Sequence, residues 1–315
     1  MKTALKGACP PPTLCAVSSN QGNAITGIDI LLILLVTLSW GMNYPIMKYV
    51  VMQFPPVSFR TLTFVLGTAA IGLYAWKKGA SLSVPHGERW TTFKLSVPNM
   101  VIWHLGLIYG LTLLNSGRTA IVGYTMPVWA LLASVVFYAE KLTLRVVLAV
   151  SCSLTATLLL AWHELSHFAG QPLGLLYTFG AAIGWGIGNA MMKHSRLSIS
   201  SISLTFWSLL TGTIVFSGFA IALEIDRWRW PNLVEWLAIA YGGIITFALS
   251  YVAWFQVARK LSPVASGLSI MLVPMVGVTG GALVLGEVIT REDVLALGFI
   301  LTAMALVLSP RRKQA

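Results

Sequence analysis

Charge is what this 315-residue chain has least of: Lys, Arg, Asp and Glu make up 10% of it, against about 25% in a soluble globular domain. The 21 basic and 10 acidic side chains are too few to cover a water-exposed surface of this size, which excludes an ordinary soluble enzyme. Cysteine is nearly absent as well. Cys9, Cys15 and Cys152 have no metal-site spacing and imply no disulfide framework. The formal charge of +11 includes no long basic run, so it does not point to nucleic acid. Residues 1–28 contain Pro and Ser but lack a continuous apolar core, and they read as a flexible tail rather than a cleaved signal. The first apolar segment then serves as an uncleaved membrane entry signal.

What is present is apolar surface, with 57% of residues hydrophobic. A spanning helix takes about 20 apolar residues. Runs bounded by charge, Pro or Gly predict ten helices, at 30–52, 57–76, 94–114, 119–138, 144–162, 172–193, 201–224, 233–258, 264–285 and 293–309. The expected fold is an all-α integral membrane protein with little room for a soluble domain. With the N-terminal tail inside, 15 of the 21 basic residues fall on cytoplasmic segments or helix ends. That asymmetry predicts cytoplasmic termini and an even number of spans.

The chain also repeats itself. SWGMNYPIMKYV at 39–50 answers to GWGIGNAMMKHS at 184–195, so Trp40, Gly41 and Lys48 recur as Trp185, Gly186 and Lys193, 145 positions later. At an offset of 147, TMPVWALLASVVFYAEKLT (125–143) pairs with LVPMVGVTGGALVLGEVIT (272–290), matching Pro127 with Pro274 and Glu140 with Glu287. Two five-helix halves are expected, at 29–163 and 172–310, joined by a connection at 164–171. Because five is odd, the second half enters from the opposite side and the halves are inverted. Secondary transporters use that architecture to alternate access around a site between the repeats.

These stretches carry a resemblance. Residues 250–290, with WGMNYPIMK (40–48), PVSFR (56–60) and the 126–143 repeat ending, resemble the ten-helix EamA-type branch of the drug/metabolite transporter superfamily. The resemblance covers about residues 30–309. It implies a cavity lined mainly by the first, third, fourth, sixth, eighth and ninth helices, with export of small metabolites or amino acids a frequent role. Two departures stand out: Ala139 precedes Glu140 where Gly286 precedes Glu287, and Asn43 is matched by Gly188, with Asn189 displaced by one.

Polar groups deep in hydrocarbon are functional candidates by default. His104, mid-span, is read either as a solute or proton site or as an interhelical hydrogen-bonding residue. No Asp or Glu falls at a span centre, so a buried carboxylate relay has no candidate. Trp40 with Asn43 and Tyr251 with Trp254 share helix faces at i, i+3, and with Trp185 and Trp103 they are expected to line an aromatic, hydrogen-bonding cavity. Lys48, Arg60 and Lys193 lie near span ends, where gating or an anion landing point competes with simple snorkelling. Pro127 and Pro274 are expected to kink their helices symmetrically. Gly180, Gly184 and Gly188, and Gly277 with Gly281, form G-x-x-x-G steps suited to close helix packing.

One motif points elsewhere. His163-Glu164-Leu165-Ser166-His167 matches the H-E-x-x-H pattern of zinc proteases, but it falls in the expected connection between halves and has no nearby acidic partner. The reading is therefore a carrier, not an enzyme, with no catalytic residue, cofactor or metal. It moves a small organic solute, with amino-acid or metabolite efflux foremost, from a multi-pass position in the inner membrane. A multidrug exporter is the alternative, and a zinc protease a remote one. The partners are the solute and the lipid bilayer, without nucleic acid, and a homo-oligomer is compatible with the sequence.

Overall fold

The computed structural model describes residues 26–166, 171–258 and 263–308, with side chains omitted at 161, 163–166, 255–258, 263–271, 307 and 308. Every regular element among them is helical. Helix α1 (Gly27–Val51) begins at a capping box in which Thr26 and Asp29 satisfy each other's backbone donors, so Asp29 belongs to the first turn rather than preceding the helix. Helix α2 (Pro56–Lys77) opens on a proline, whose missing N–H would be unpaired there anyway. The third segment, expected as one helix, is composite. It runs from α3 (Arg89–Ser96) through a π-helical stretch, Val97–Ile102, into α4 (Trp103–Leu113).

The fourth segment corrects an expectation. It breaks into α5 (Ser116–Gly123) and α6 (Met126–Tyr138), with the Thr125 N–H bonded to the Val122 carbonyl at 3.1 Å in the turn between them. Pro127 therefore sits in the first turn of a new helix, where it removes no hydrogen bond. The rest comprises α7 (Leu144–Ser166), α8 (Pro172–His194), α9 (Ser201–Glu224) and α10 (Leu233–Ala240). A second π-helical stretch, Tyr241–Leu249, leads into α11 (Ser250–Ala258), followed by α12 (Pro263–Leu285) and α13 (Arg291–Leu308). Pro274 lies inside continuous α12, so the two prolines do not act alike.

Among the described residues, six helical segments are long and apolar enough to cross a membrane: Gly27–Val51, Pro56–Lys77, His86–Leu113, Ser116–Tyr138, Ser201–Arg227 and Leu233–Trp254. Large apolar side chains such as Leu158, Leu176 and Leu283 stand exposed on the outside of the bundle, as a lipid-facing surface requires. The main contacts pair α1 with α12, α2 with α9, α4 and α6 with α8, and α7 with α13. Lipid supplies no hydrophobic drive for these contacts, so close packing and polar pairs must supply it. Small residues do so at α8, where Gly184 lies against Ile102 and Gly188 against Asn99. Gly277 meets Ala120, and Gly281 meets Ser116 and Glu287. Gly180 is the exception: a side chain there would meet nothing within 4 Å, so it is no packing contact.

The ends of α6 and α12 are built alike. Ala139 and Gly286 both take a left-handed conformation (φ 53° and 67°). The next residues, Glu140 and Glu287, donate their N–H to Ser134 and Gly281, each at 3.2 Å. The same cap thus forms in both halves despite the alanine, which bears the strain that glycine avoids.

Candidate functional site

The break after α5, the start of α4 just past the first π-helical stretch, and the π-helical stretch Tyr241–Leu249 help to line one chamber of about 90 Å³. Helix α1 contributes Trp40 and Asn43, α4 contributes His104, α8 contributes Trp185, and the Tyr241–Leu249 stretch and α11 contribute Thr246 and Tyr251. A π turn holds an extra residue and shifts the side chains that follow it, which is why such turns gather at sites. The Trp40 ring lies 5.8 Å from Tyr251 and 5.9 Å from Trp254, and its indole N–H donates to the Thr246 carbonyl at 3.3 Å. Trp103 and Trp185 approach to 5.1 Å. The aromatic residues singled out from the sequence therefore come together.

Polar atoms face these apolar walls without protein partners. His104 is 5% exposed, wedged edge-on between Phe64 at 5.0 Å and Phe247 at 5.4 Å, and neither ring nitrogen is hydrogen-bonded. The Thr246 hydroxyl and the Asn43 carbonyl oxygen are likewise unpaired, while the Asn43 amide donates to the Met47 sulfur at 3.5 Å. Burying such groups unpaired is costly, so polar atoms facing a chamber are met there by water or by a bound solute. Among the described residues no Asp or Glu lines the chamber.

The chamber shares Trp40, Met126, Trp185 and Tyr251 with a vestibule of about 490 Å³. This vestibule reaches past Pro127, Ser134, Asn189 and Trp254 to Lys193, near the last turns of α6 and α8. Asn189, set aside in the sequence comparison, therefore lines the vestibule while Asn43 lines the chamber. At this end the contacts are exposed: Lys193 Nζ donates to the Glu140 carboxylate at 2.6 Å, with 60% of the lysine side chain in solvent.

The other end is sealed by acidic groups, most of them buried. The Glu287 carboxylate accepts from the Ser116 N–H and hydroxyl, both at 2.7 Å, and from the Gly117 N–H at 3.2 Å. Arg118 pairs with Asp293 at 2.7 Å, both almost wholly enclosed. Glu224 accepts from the Val57 and Ser58 amides at 3.0 and 2.7 Å, capping α2. Arg229 pairs with buried Glu235 and reaches the Gln53 carbonyl at 3.1 Å. Lys48 is drawn inward as well, its amine donating to the Leu111 carbonyl at 2.8 Å. Sequence reasoning missed this seal, although the Glu140–Glu287 match had flagged one of its members. Pairings between residues more than 160 positions apart leave no local signal.

Arg60 corrects the snorkelling alternative. It is 1% exposed, its guanidinium donating to the Met47 sulfur and lying 5.5 to 5.9 Å from the ring centres of Phe247, Phe64 and Phe59. Residues 163–166 continue α7 by backbone, so the HELSH segment is not wholly the connection expected. The side chains of His163 and Glu164, and all of His167, lie outside the described residues. Among the described residues no three His, Cys, Asp or Glu gather as a metal site.

An all-helical bundle of membrane-length apolar segments around an aromatic chamber is the build of a multi-pass membrane transporter. The model of the EamA-like transporter family matches residues 27–162 and 172–309, and the chain belongs to that family. It is 26% identical over 266 residues to the "Uncharacterized transporter YoaV" of Bacillus subtilis (strain 168), covering 84% of this chain and 90% of that one. It is 22% identical over 285 residues to a "Probable amino-acid metabolite efflux pump" of Escherichia coli (strain K12), covering 88% and 93%. A solved structure titled "Crystal structure of protein" has the same fold, with a TM-score of 0.62 at 19% identity over 89% of this chain and 96% of that one.

Proposed function

We propose that the protein is a secondary transporter of ten helices, two inverted five-helix halves that alternate access to the aromatic chamber. The contacts respect an exchange of the halves. The α1–α12 contact answers to α8–α6, and α1–α11 to α8–α4, while α2 meets its own repeat mate α9 and α7 meets α13. Thr68 and Thr213, 145 positions apart, share a hydrogen bond at 3.1 Å, as residues on either side of a two-fold axis would. The same offset carries the π-helical Val97–Ile102 into the π-helical Tyr241–Leu249.

The observation that carries the reading is the unequal closure of the chamber. One end is sealed by carboxylates on helix starts, while the vestibule runs toward the exposed Lys193–Glu140 pair. The excess of basic residues makes the vestibule end cytoplasmic, so this conformation faces inward, with both termini in the cytoplasm and the protein in the inner membrane. Trp40, Asn43, His104, Trp185, Tyr251 and Trp254 contact the solute; Lys48 and Lys193 flank its path. The relative named for amino-acid metabolite efflux favours a small organic solute moved outward. Proteoliposomes offered labelled amino acids and cationic dyes test this. Saturable flux of the former is expected; flux of dyes alone would indicate a xenobiotic exporter, and no flux of any solute refutes the carrier.

A further inference from the structure

We infer that the chamber selects organic acids, solutes with a carboxylate on an aromatic or apolar body, and that buried Arg60 is the residue that sets this charge preference. The inference rests on reading the chamber as the solute site. Arg60 is enclosed at 1% exposure, and among the described residues no Asp or Glu forms an ion pair with it. Among the described residues its Nε has no acceptor, and its guanidinium meets a thioether and aromatic faces. An enclosed cation with only soft, neutral neighbours is a standing positive potential in a low-dielectric region.

That potential reaches the chamber wall. Phe247 lies beneath the guanidinium and lines the chamber, and His104 rests on the same two phenylalanines as Arg60. Whichever tautomer His104 takes, it offers one N–H, and the Thr246 hydroxyl offers an O–H; both are unpaired and buried, and two donors suit a carboxylate. The Asn43 carbonyl oxygen is an unpaired acceptor, suited to an amino or hydroxyl group beside the acid. Behind this polar floor, Trp40, Trp185 and Trp254 line the vestibule and accommodate the apolar body. An aromatic cage ordinarily favours cations. Here, among the described residues, no acidic side chain lines either space and Lys193 at the vestibule is paired with Glu140, so the enclosed Arg60 sets the sign and reverses it.

Phenylacetate, phenylacetamide and phenethylamine share one ring and differ in charge, and quenching of intrinsic tryptophan fluorescence in detergent compares their binding. The acid should bind at least tenfold more tightly than the amide, and the amine most weakly. In Arg60→Met, of similar length but uncharged, acid affinity should fall at least tenfold while amide affinity holds. Arg60→Lys, which keeps the charge, should keep the ranking if the methionine variant does not fold. An amine that binds the unaltered protein as well as the acid does overturns the assignment, as does a ranking that Arg60→Met leaves unchanged. Flux of cations but not acids overturns the charge assignment and leaves the carrier standing. Acid-selective binding without any flux does the reverse.

Discussion

Replacing Glu287 by Gln tests whether the carboxylate seal holds one end of the bundle shut. The carboxylate accepts three hydrogen bonds from the first residues of α5, two at 2.7 Å and one at 3.2 Å. Bonds to an ionised group are worth about 1.5–3 kcal/mol each. Glutamine keeps one oxygen, loses the charge, and turns an amide donor toward groups that themselves donate. A net loss of about 2–3 kcal/mol for the closed arrangement follows, or about 30- to 150-fold in its population relative to the open one. Val278, 7% exposed and lining the small cavity beneath Glu287, is the place to read this. With Cys9, Cys15 and Cys152 changed to Ser, a single Val278→Cys should react slowly with an impermeant maleimide in the parent and at least tenfold faster with Glu287→Gln. The faster reaction should come only from the sealed side. Labelling that changes by less than about threefold would refute the reasoning, because the bonds would then be incidental to closure.

Three stability predictions follow from the same packing. Asp293→Asn removes the charge opposite the enclosed Arg118 guanidinium and should lower unfolding stability in detergent by about 1.5–3 kcal/mol, with part recovered when Arg118→Met is added. Gly188→Ala drives a methyl into the Asn99 amide and should destabilise by at least about 1–3 kcal/mol, measured by thermal unfolding. Gly180→Ala, facing open space, should be neutral or stabilising by up to about 1 kcal/mol.

The fold and the chamber were legible in the sequence to different degrees. Apolar length alone located α1, α2, α8 and α9 to within a few residues, because a hydrocarbon slab imposes a minimum span and every internal amide must bond within its helix. The broken fourth segment was not legible, since a proline in an apolar run looks the same inside a helix as at the start of one. The i, i+3 spacing of Trp40 and Asn43 found the chamber, yet its neighbours Thr246, Tyr44 and Tyr124 went unnoticed. Their surroundings are ordinary in composition, and only the π-helical register turns Thr246 inward. Arg60 was visible as a charge near a span end, but nothing local distinguishes an arginine that reaches water from one folded over three phenylalanines.

The twin carboxylates show how a duplicated sequence favours one conformation. Glu140 and Glu287 leave like helix caps, but Glu287 lands on two backbone amides and a hydroxyl whereas Glu140 turns to side chains, the exposed amine of Lys193 and the His194 ring at 3.3 Å among them. The exposed Lys193 ion pair contributes about 0–1 kcal/mol, against about 1.5–3 kcal/mol for each bond that the Glu287 carboxylate accepts. The cause is written in the repeat. At the offset of 147 that aligns the two glutamates, Ser116 and Gly117 correspond to Pro263 and Val264, and proline has neither an N–H nor a hydroxyl to offer. In the proposed exchange of the halves, Glu140 would find one amide at the positions where Glu287 meets two amides and a hydroxyl, which makes that second seal the weaker one. Under that proposal the inward-facing state is the resting one, and a solute would have to bind the outward-facing chamber more tightly, or draw on an external gradient, to offset the difference in each cycle.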